Sequence, residues 1–206
     1  MANRKRVVEA LGTGKRAQRR AEAERRQRMT YLGWGVLALA ALGVIGFLIW
    51  SSTRPATVMG DEVAVASRDH VAEGSALPTY LTDPPAGGAH YASTYTAGFY
   101  NEADVDALPK EPAGFLVHNL EHGYIIYWYN CAADPNINCD ALKDGIKQVM
   151  GEVNNRKVIG FPWPSQKEPL VLTSWGRILR LDGLDLDVMR SFTRVNMNQA
   201  PEPEAE

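Results

Sequence analysis

With 206 residues, 22 Lys/Arg against 24 Asp/Glu and two cysteines, the chain carries a formal net charge of −2. That length accommodates one ordinary domain plus appendages. No G-x-S-x-G elbow and no G-x-G-x-x-G fingerprint occurs, so the common hydrolase and dinucleotide-binding classes have no support.

The near balance of charge conceals an asymmetry. Residues 1–28 hold ten Lys/Arg and three Glu, whereas the remaining 12 basic and 21 acidic residues give everything after residue 28 a formal charge of −9. A basic head and an acidic body imply two environments on one chain. In the head, residues 1–30, Glu22–Arg26 and Glu24–Arg28 stand at i,i+4 spacing and favour a solvated, partly helical segment. Gly12-Thr13-Gly14-Lys15 has the outline of a phosphate loop, but Glu9 and Arg16 occupy positions where that motif needs Gly and Ser/Thr.

Residues 31–50, YLGWGVLALAALGVIGFLIW, contain no charge. As a helix they span about 30 Å, the thickness of a bilayer's hydrocarbon core. Tyr31, Trp34 and Trp50 lie near the two ends, where amphipathic rings favour the headgroup region. A cleaved signal would have a shorter apolar run with small residues before the cut, and this run ends in Phe47-Leu48-Ile49-Trp50. The expectation is a single-pass anchor in the cell membrane. The basic head is then a positive-inside determinant, not a nucleic-acid site, which keeps the N-terminus cytoplasmic and exports the rest.

Residues 51–68, polar and small, read as a stalk. A globular domain follows over 69–200. Pro84-Pro85 and Gly87-Gly88 form a stiff arm and an elbow presenting His90. Tyr124–Tyr129 reads as a strand covered on both faces. Asp140–Asn155 reads as a helix capped by Asp140, with Leu142, Ile146, Val149, Met150 and Val153 at helical spacing. Val158–Phe161 and Leu170–Trp175 read as strands, with Arg177–Leu181 continuing the second past Gly176. Asp185–Met197 reads as a final helix with Leu186, Met189 and Phe192 inward, and 201–206 as a frayed acidic tail. The order strand, helix, strand, strand, helix points to an α+β or thioredoxin-like layered fold.

Cys131 and Cys139, eight positions apart in an exported domain, are most simply a disulfide. A thiol metal site is the alternative, and no Cys-x-x-Cys redox motif exists.

His118-Asn119-Leu120-Glu121-His122-Gly123 concentrates the chemistry. On a helix, His118 and His122 stand one above the other beside Glu121, and Gly123 suits the position that ends the helix. In a hairpin formed by Phe115–Val117 and Tyr124–Tyr129 the two rings instead flank the turn. Either arrangement suits zinc or copper, with His90 as third ligand and His70 or Glu121 assisting. Met59, Met150, Met189 and Met197 offer thioether for copper. Hydrogen-bonded structural histidines remain the other reading. The string also fits the H-x-x-E-H zincin pattern, but Gly123 and the aromatic run after it cut short the helix that a metallopeptidase needs.

Pro84-Pro85-Ala86-Gly87-Gly88-Ala89-His90, Gly98-Phe99-Tyr100, His118–Gly123 and Ser174-Trp175-Gly176-Arg177 together resemble the family catalogued as domain of unknown function 3105, over roughly residues 65–202. Its members look like exported or membrane-anchored proteins with Pro-Pro-Thr-Ser-Gly-Pro-His and His-x-Leu-Glu-His-Gly segments. This chain departs at Ala86, Gly87 and Ala89 and keeps His90. The resemblance singles out His90, His118, Glu121 and His122 and implies no settled activity. Three functions follow as expectations. The first is a non-catalytic binding module with a copper or zinc site, and the second is an assembly subunit of a larger membrane complex. The third is a zinc metallopeptidase.

Overall fold

The protein's structure, a computed structural model, describes residues 25–27, 29–50 and 58–205. The basic head up to residue 24 and residues 51–57 of the expected stalk lie outside the described residues. The chain divides into two compact units, Met1–Pro55 and Ala56–Glu206. In the first, helix α1 (Arg25–Trp50) is long and apolar enough to cross a membrane, and Trp34, Leu39, Leu42 and Phe47 are all exposed on it.

The second unit is a mixed α+β domain. Its elements are β1 (Asp61–Glu62), β2 (His70–Val71), β3 (His90–Tyr91), β4 (Gly98–Phe99), α2 (Glu102–Val105), α3 (Pro112–Glu121), β5 (Ile125–Tyr129), α4 (Cys139–Glu152), β6 (Val158–Pro162), β7 (Leu170–Ser174), β8 (Arg177–Leu181) and α5 (Leu186–Asn196). Six strands form one sheet in the order β1-β8-β7-β5-β6-β4, and β2 and β3 form a separate parallel pair. β5 lies parallel to β6, with α4 as the crossover, and antiparallel to β7.

The aromatic run reads as a buried strand, and every residue of β5 is buried. Because side chains alternate across a strand, it feeds two cores. Ile126 and Trp128 join Tyr91, Tyr95, Phe115, Leu116 and Leu120 on the face covered by α3 and β3. Ile125, Tyr127 and Tyr129 join Leu142, Ile146, Val149, Met189 and Phe192 on the face covered by α4 and α5. Each half of the domain is thus a layer of helix on sheet.

Three expectations change in detail. α4 starts one residue earlier than read, with Asn138 as its cap accepting from the Ala141 N–H; Asp140 lies in the first turn. Arg177–Leu181 does not continue the preceding strand. It turns back antiparallel, pairing Ser174 with Arg177 across Trp175-Gly176, and Gly176 supplies the φ of +68° that the tight turn needs. The segment 112–121 is a helix, so the hairpin alternative for Phe115–Val117 falls. Pro112 opens α3 at a position where a missing N–H costs nothing.

At the ends of the domain, β1 pairs with β8, and the Asn196 side chain exchanges two hydrogen bonds with the Met59 backbone, 2.9 and 2.8 Å. The C-terminal segment is held rather than frayed: the Glu202 N–H donates to the Glu121 carbonyl at 3.1 Å.

Candidate functional site

The site is assembled where α3 crosses β3. Helix and strand approach closely because residue 114 lacks a side chain: a Cβ there would fall 2.4 Å from the Tyr91 ring. Gly114, His118 and Glu121 sit at i, i+4 and i+7, a spacing that keeps them on one helix face. β2 supplies the last component, because the parallel register pairs His70 with His90.

The sequence His118–Gly123 divides its labour residue by residue. His118 and Glu121 turn toward β3. Asn119 is fully buried and clamps the segment before β4, accepting from the Tyr95 N–H (3.0 Å) and donating to the Tyr95 carbonyl (2.8 Å). Leu120 enters the core. Gly123 has φ +83°, and a Cβ there would meet the Asn198 backbone at 2.7 Å. Glycine is therefore required for both conformation and space. Buried Lys157 donates to the His122 carbonyl (2.9 Å), Asn198 Oδ1 (3.2 Å) and the Pro203 carbonyl (2.6 Å), placing a cation at the negative end of α3.

Three imidazoles and a carboxylate converge. The ring centroids of His70 and His90 are 4.7 Å apart, those of His70 and His118 4.8 Å, and those of His90 and His118 4.9 Å. One ligand atom from each of His70, His90, His118 and Glu121 lies within 4.8 Å of all the others. Glu121 Oε2 is 3.0 Å from His90 Nε2 and 3.8 Å from His70 Nε2. These distances bracket the ~3.4 Å that separates neighbouring ligands of a tetrahedral ion with bonds of about 2.1 Å.

The surroundings fix the donor atoms. His90 Nδ1 is 2.8 Å from the Gly88 carbonyl. A carbonyl only accepts, so Nδ1 donates there and Nε2 is the ring nitrogen turned toward Glu121. That Nε2 lies 3.0 Å from Glu121 Oε2 without the alignment of a hydrogen bond, so the pair accommodates either a shared proton, as an ion pair, or a bound cation. The His90 ring also stands edge-on to Trp175 at 6.1 Å. His118 Nδ1 is buried with no hydrogen-bond partner. Burial, reinforced by His122, His90 and His70, lowers the His118 pKa from 6.5 to about 4, against the opposing pull of a Ser93 backbone hydrogen bond. His118 is therefore neutral at pH 7, the form that binds metal. The other oxygen of Glu121, Oε1, accepts from Arg68 Nε at 2.9 Å.

His122 borders this group without joining it. Its ring is 4.4 Å from His118, and its Nε2 is 3.6 Å from Glu202 Oε2. In an H-x-x-E-H peptidase both histidines hold the ion and the glutamate stays free to act as base. Here the buried Glu121 stands in the convergent set and is already paired with Arg68. Cys131 and Cys139 form a disulfide and offer no thiolate. Met150 and Met189 lie in the core on the opposite face of the sheet, with Met59 and Met197 packed against it.

Reading the sequence missed Arg68, Gly114, the Gly88 carbonyl, Lys157 and Glu202. Arg68 fell inside the expected stalk; Gly88 belongs to the elbow that presents His90, but its carbonyl's role depends on the fold, as do the places of Gly114, Lys157 and Glu202.

Fold and site together define a class: an α+β domain organised around a histidine–carboxylate cluster with three buried members and one exposed, on a chain that carries, among the described residues, one long apolar helix. Residues 70–206 match the family described as protein of unknown function (DUF3105), and the chain belongs to that family. No curated protein and no solved structure matches it.

Proposed function

We propose that the protein is a membrane-anchored binding domain holding one divalent transition metal, zinc or copper(II), through His70, His90, His118 and Glu121. The convergence of those four side chains, with ligand atoms all within 4.8 Å of one another, carries this reading. A set of three imidazoles and a carboxylate suits borderline divalent ions. Copper(I) favours soft sulfur ligands, and the methionines lie on the other face of the sheet. The long apolar helix α1 and the ten basic residues before and at its start support a single-pass anchor with a cytoplasmic N-terminus and an exported domain. The strand order β6-β5-β7-β8, with α4 crossing and α5 closing, supports a thioredoxin-like reading of that half of the domain.

The test is metal analysis of the full chain purified in mild detergent after exposure to zinc and to copper(II). One equivalent of metal is expected, lost when His90, His118 and Glu121 are replaced together. A wild-type protein that retains no stoichiometric metal sinks the proposal.

A second reading has its own support in the Arg68–Glu121 ion pair, which shows a purely structural way to satisfy the carboxylate. In that case the domain is an assembly subunit of a larger membrane complex. Purification under gentle detergent would then yield a reproducible membrane partner, and a metal-free monomer would count against both readings.

A further inference from the structure

Resting on the metal-binding reading, we infer that the site is built for exchange. Three ligands are fixed by the fold, and the fourth, His70, is open to displacement by an imidazole side chain arriving from solvent.

The asymmetry among the ligands is physical. The His90 side chain has no exposed surface. It is held by the Gly88 carbonyl through Nδ1 and bordered by Trp175. Gly88 in turn has φ +140°, and a Cβ there would strike the Tyr80 ring at 2.9 Å, so the position that orients His90 admits only glycine. His118 is buried on α3, its ring packed between those of His90 and His122. The Glu121 side chain is 2% exposed and bound to Arg68. These are the outer contacts that lock metal ligands in orientation.

His70 differs in exposure and in its outer contacts. Its side chain is 47% exposed. Among the described residues its ring meets only other members of the cluster, the rings of His90 and His118 and the carboxylate of Glu121. No hydrogen bond orients its second nitrogen among those residues. It stands on β2, whose only strand partner is the equally short β3 that carries His90, so exposure and outer contacts, not the ladder, separate the two.

A purely structural zinc site is closed by four ligands, each locked by its own surroundings. This site locks three. Exchange is then a ligand substitution: the lone pair of an incoming neutral imidazole forms a metal–nitrogen bond as the His70–metal bond breaks. The charge of the complex is unchanged, and no proton or electron is transferred.

The experiment uses the full chain in detergent, zinc as the metal, a chelating dye as competitor and free imidazole as surrogate for the incoming side chain. His70→Ala is expected to weaken zinc binding on the order of 100-fold, about one ligand's share of a four-ligand site. Added imidazole should restore most of that loss. His90→Ala and His118→Ala, whose vacancies are buried, should lose zinc and gain nothing from imidazole. On the wild-type protein, which removes any question of misfolded variants, imidazole should accelerate zinc transfer to the dye in proportion to its concentration.

Transfer from wild type that ignores imidazole overturns the inference, as does a His70→Ala variant that imidazole cannot rescue or that binds zinc like wild type. A wild-type chain that binds no zinc or copper(II) overturns the metal reading itself, so the two failures are distinguishable.

Discussion

Gly114→Ala isolates the contact that sets the site's dimensions. In this substitution the new Cβ falls 2.4 and 2.5 Å from two carbons of the Tyr91 ring and 2.9 Å from a third. Carbon atoms pack at about 3.5–4.0 Å, so helix and strand must part by roughly 1 Å. Tyr91 has no easy escape, because it is fully buried, its ring meets Phe115 edge-on, and its hydroxyl donates to the Ser75 carbonyl at 2.8 Å. Overpacking of this kind costs about 1–3 kcal/mol, and replacing a helical glycine by alanine returns about 1 kcal/mol. Net destabilisation should be only about 1 kcal/mol. The effect on the site is larger, since His118 and Glu121 ride on α3 while His90 precedes Tyr91 on β3. A shift of roughly 1 Å far exceeds the ~0.2 Å tolerance of metal–ligand bonds, and zinc affinity should fall on the order of 10–100-fold, as when a supporting contact is removed. Calorimetric melting measures the first quantity and competition against a zinc dye the second. A variant that melts a few degrees lower yet binds zinc at wild-type strength would refute the idea that this contact spaces the ligands.

Acid should destabilise the metal-free protein through His118. An unfolded histidine takes up its proton near pH 6.5, whereas folded His118 stays neutral until about pH 4. The unfolded state therefore binds more protons across that window, and stability present above pH 6.5 is lost as pH falls toward 4. The loss should be about 2 kcal/mol, allowing for screening near the site's rim. It should appear in urea melts with chelator, and His118→Gln should show a correspondingly smaller fall; an equal fall would clear His118 of responsibility. Lys157→Met removes three hydrogen bonds at the end of α3 and should cost about 1–3 kcal/mol, chiefly by leaving the buried His122 carbonyl unpaired, with earlier proteolysis of the C-terminal segment as a second readout. A cost below about 0.5 kcal/mol would mean that water replaces the ammonium without loss. Replacing both cysteines by serine should cost about 2.5 kcal/mol, given the short loop they close. Zinc content should not change, because the bridge packs with the core on the sheet face away from α3.

Much of this was legible in the sequence, for reasons that also explain what was not. β5, α4, β6, β7 and α5 are each five residues or longer, and carry either a short apolar run, as a strand buried on both faces does, or a helical spacing. α3 left the choice between helix and hairpin open because eight of its ten residues are buried, so no polar face marks its period. β1 to β4 are two residues each, too short for any periodicity. This hid the pairing of His70 with His90. The motif His118–Gly123 led directly to the cluster, and the Pro-Pro/Gly-Gly arm did present His90. What spacing alone could not decide was which histidine stands beside His118 and His90. Helical geometry brings His122 close to His118, yet Glu202, eighty residues later in the chain, draws its ring nitrogen to 3.6 Å, while a parallel ladder brings in His70.

The docking of the C-terminal segment has a practical side. Glu202 touches Arg68 and His122 and caps the carbonyl of Glu121, so the turn that follows α5 near the end of the described residues lies against the cluster. Four residues reach at most about 14 Å when fully extended. A polyhistidine purification tag fused after Glu206 would thus dangle six extra imidazoles within reach of His70 and offer the metal a competing nest. Stoichiometry measured on such a fusion would belong to the tag as much as to the protein. A tag on the basic N-terminal head, or one free of histidine, keeps the measurement a property of the fold.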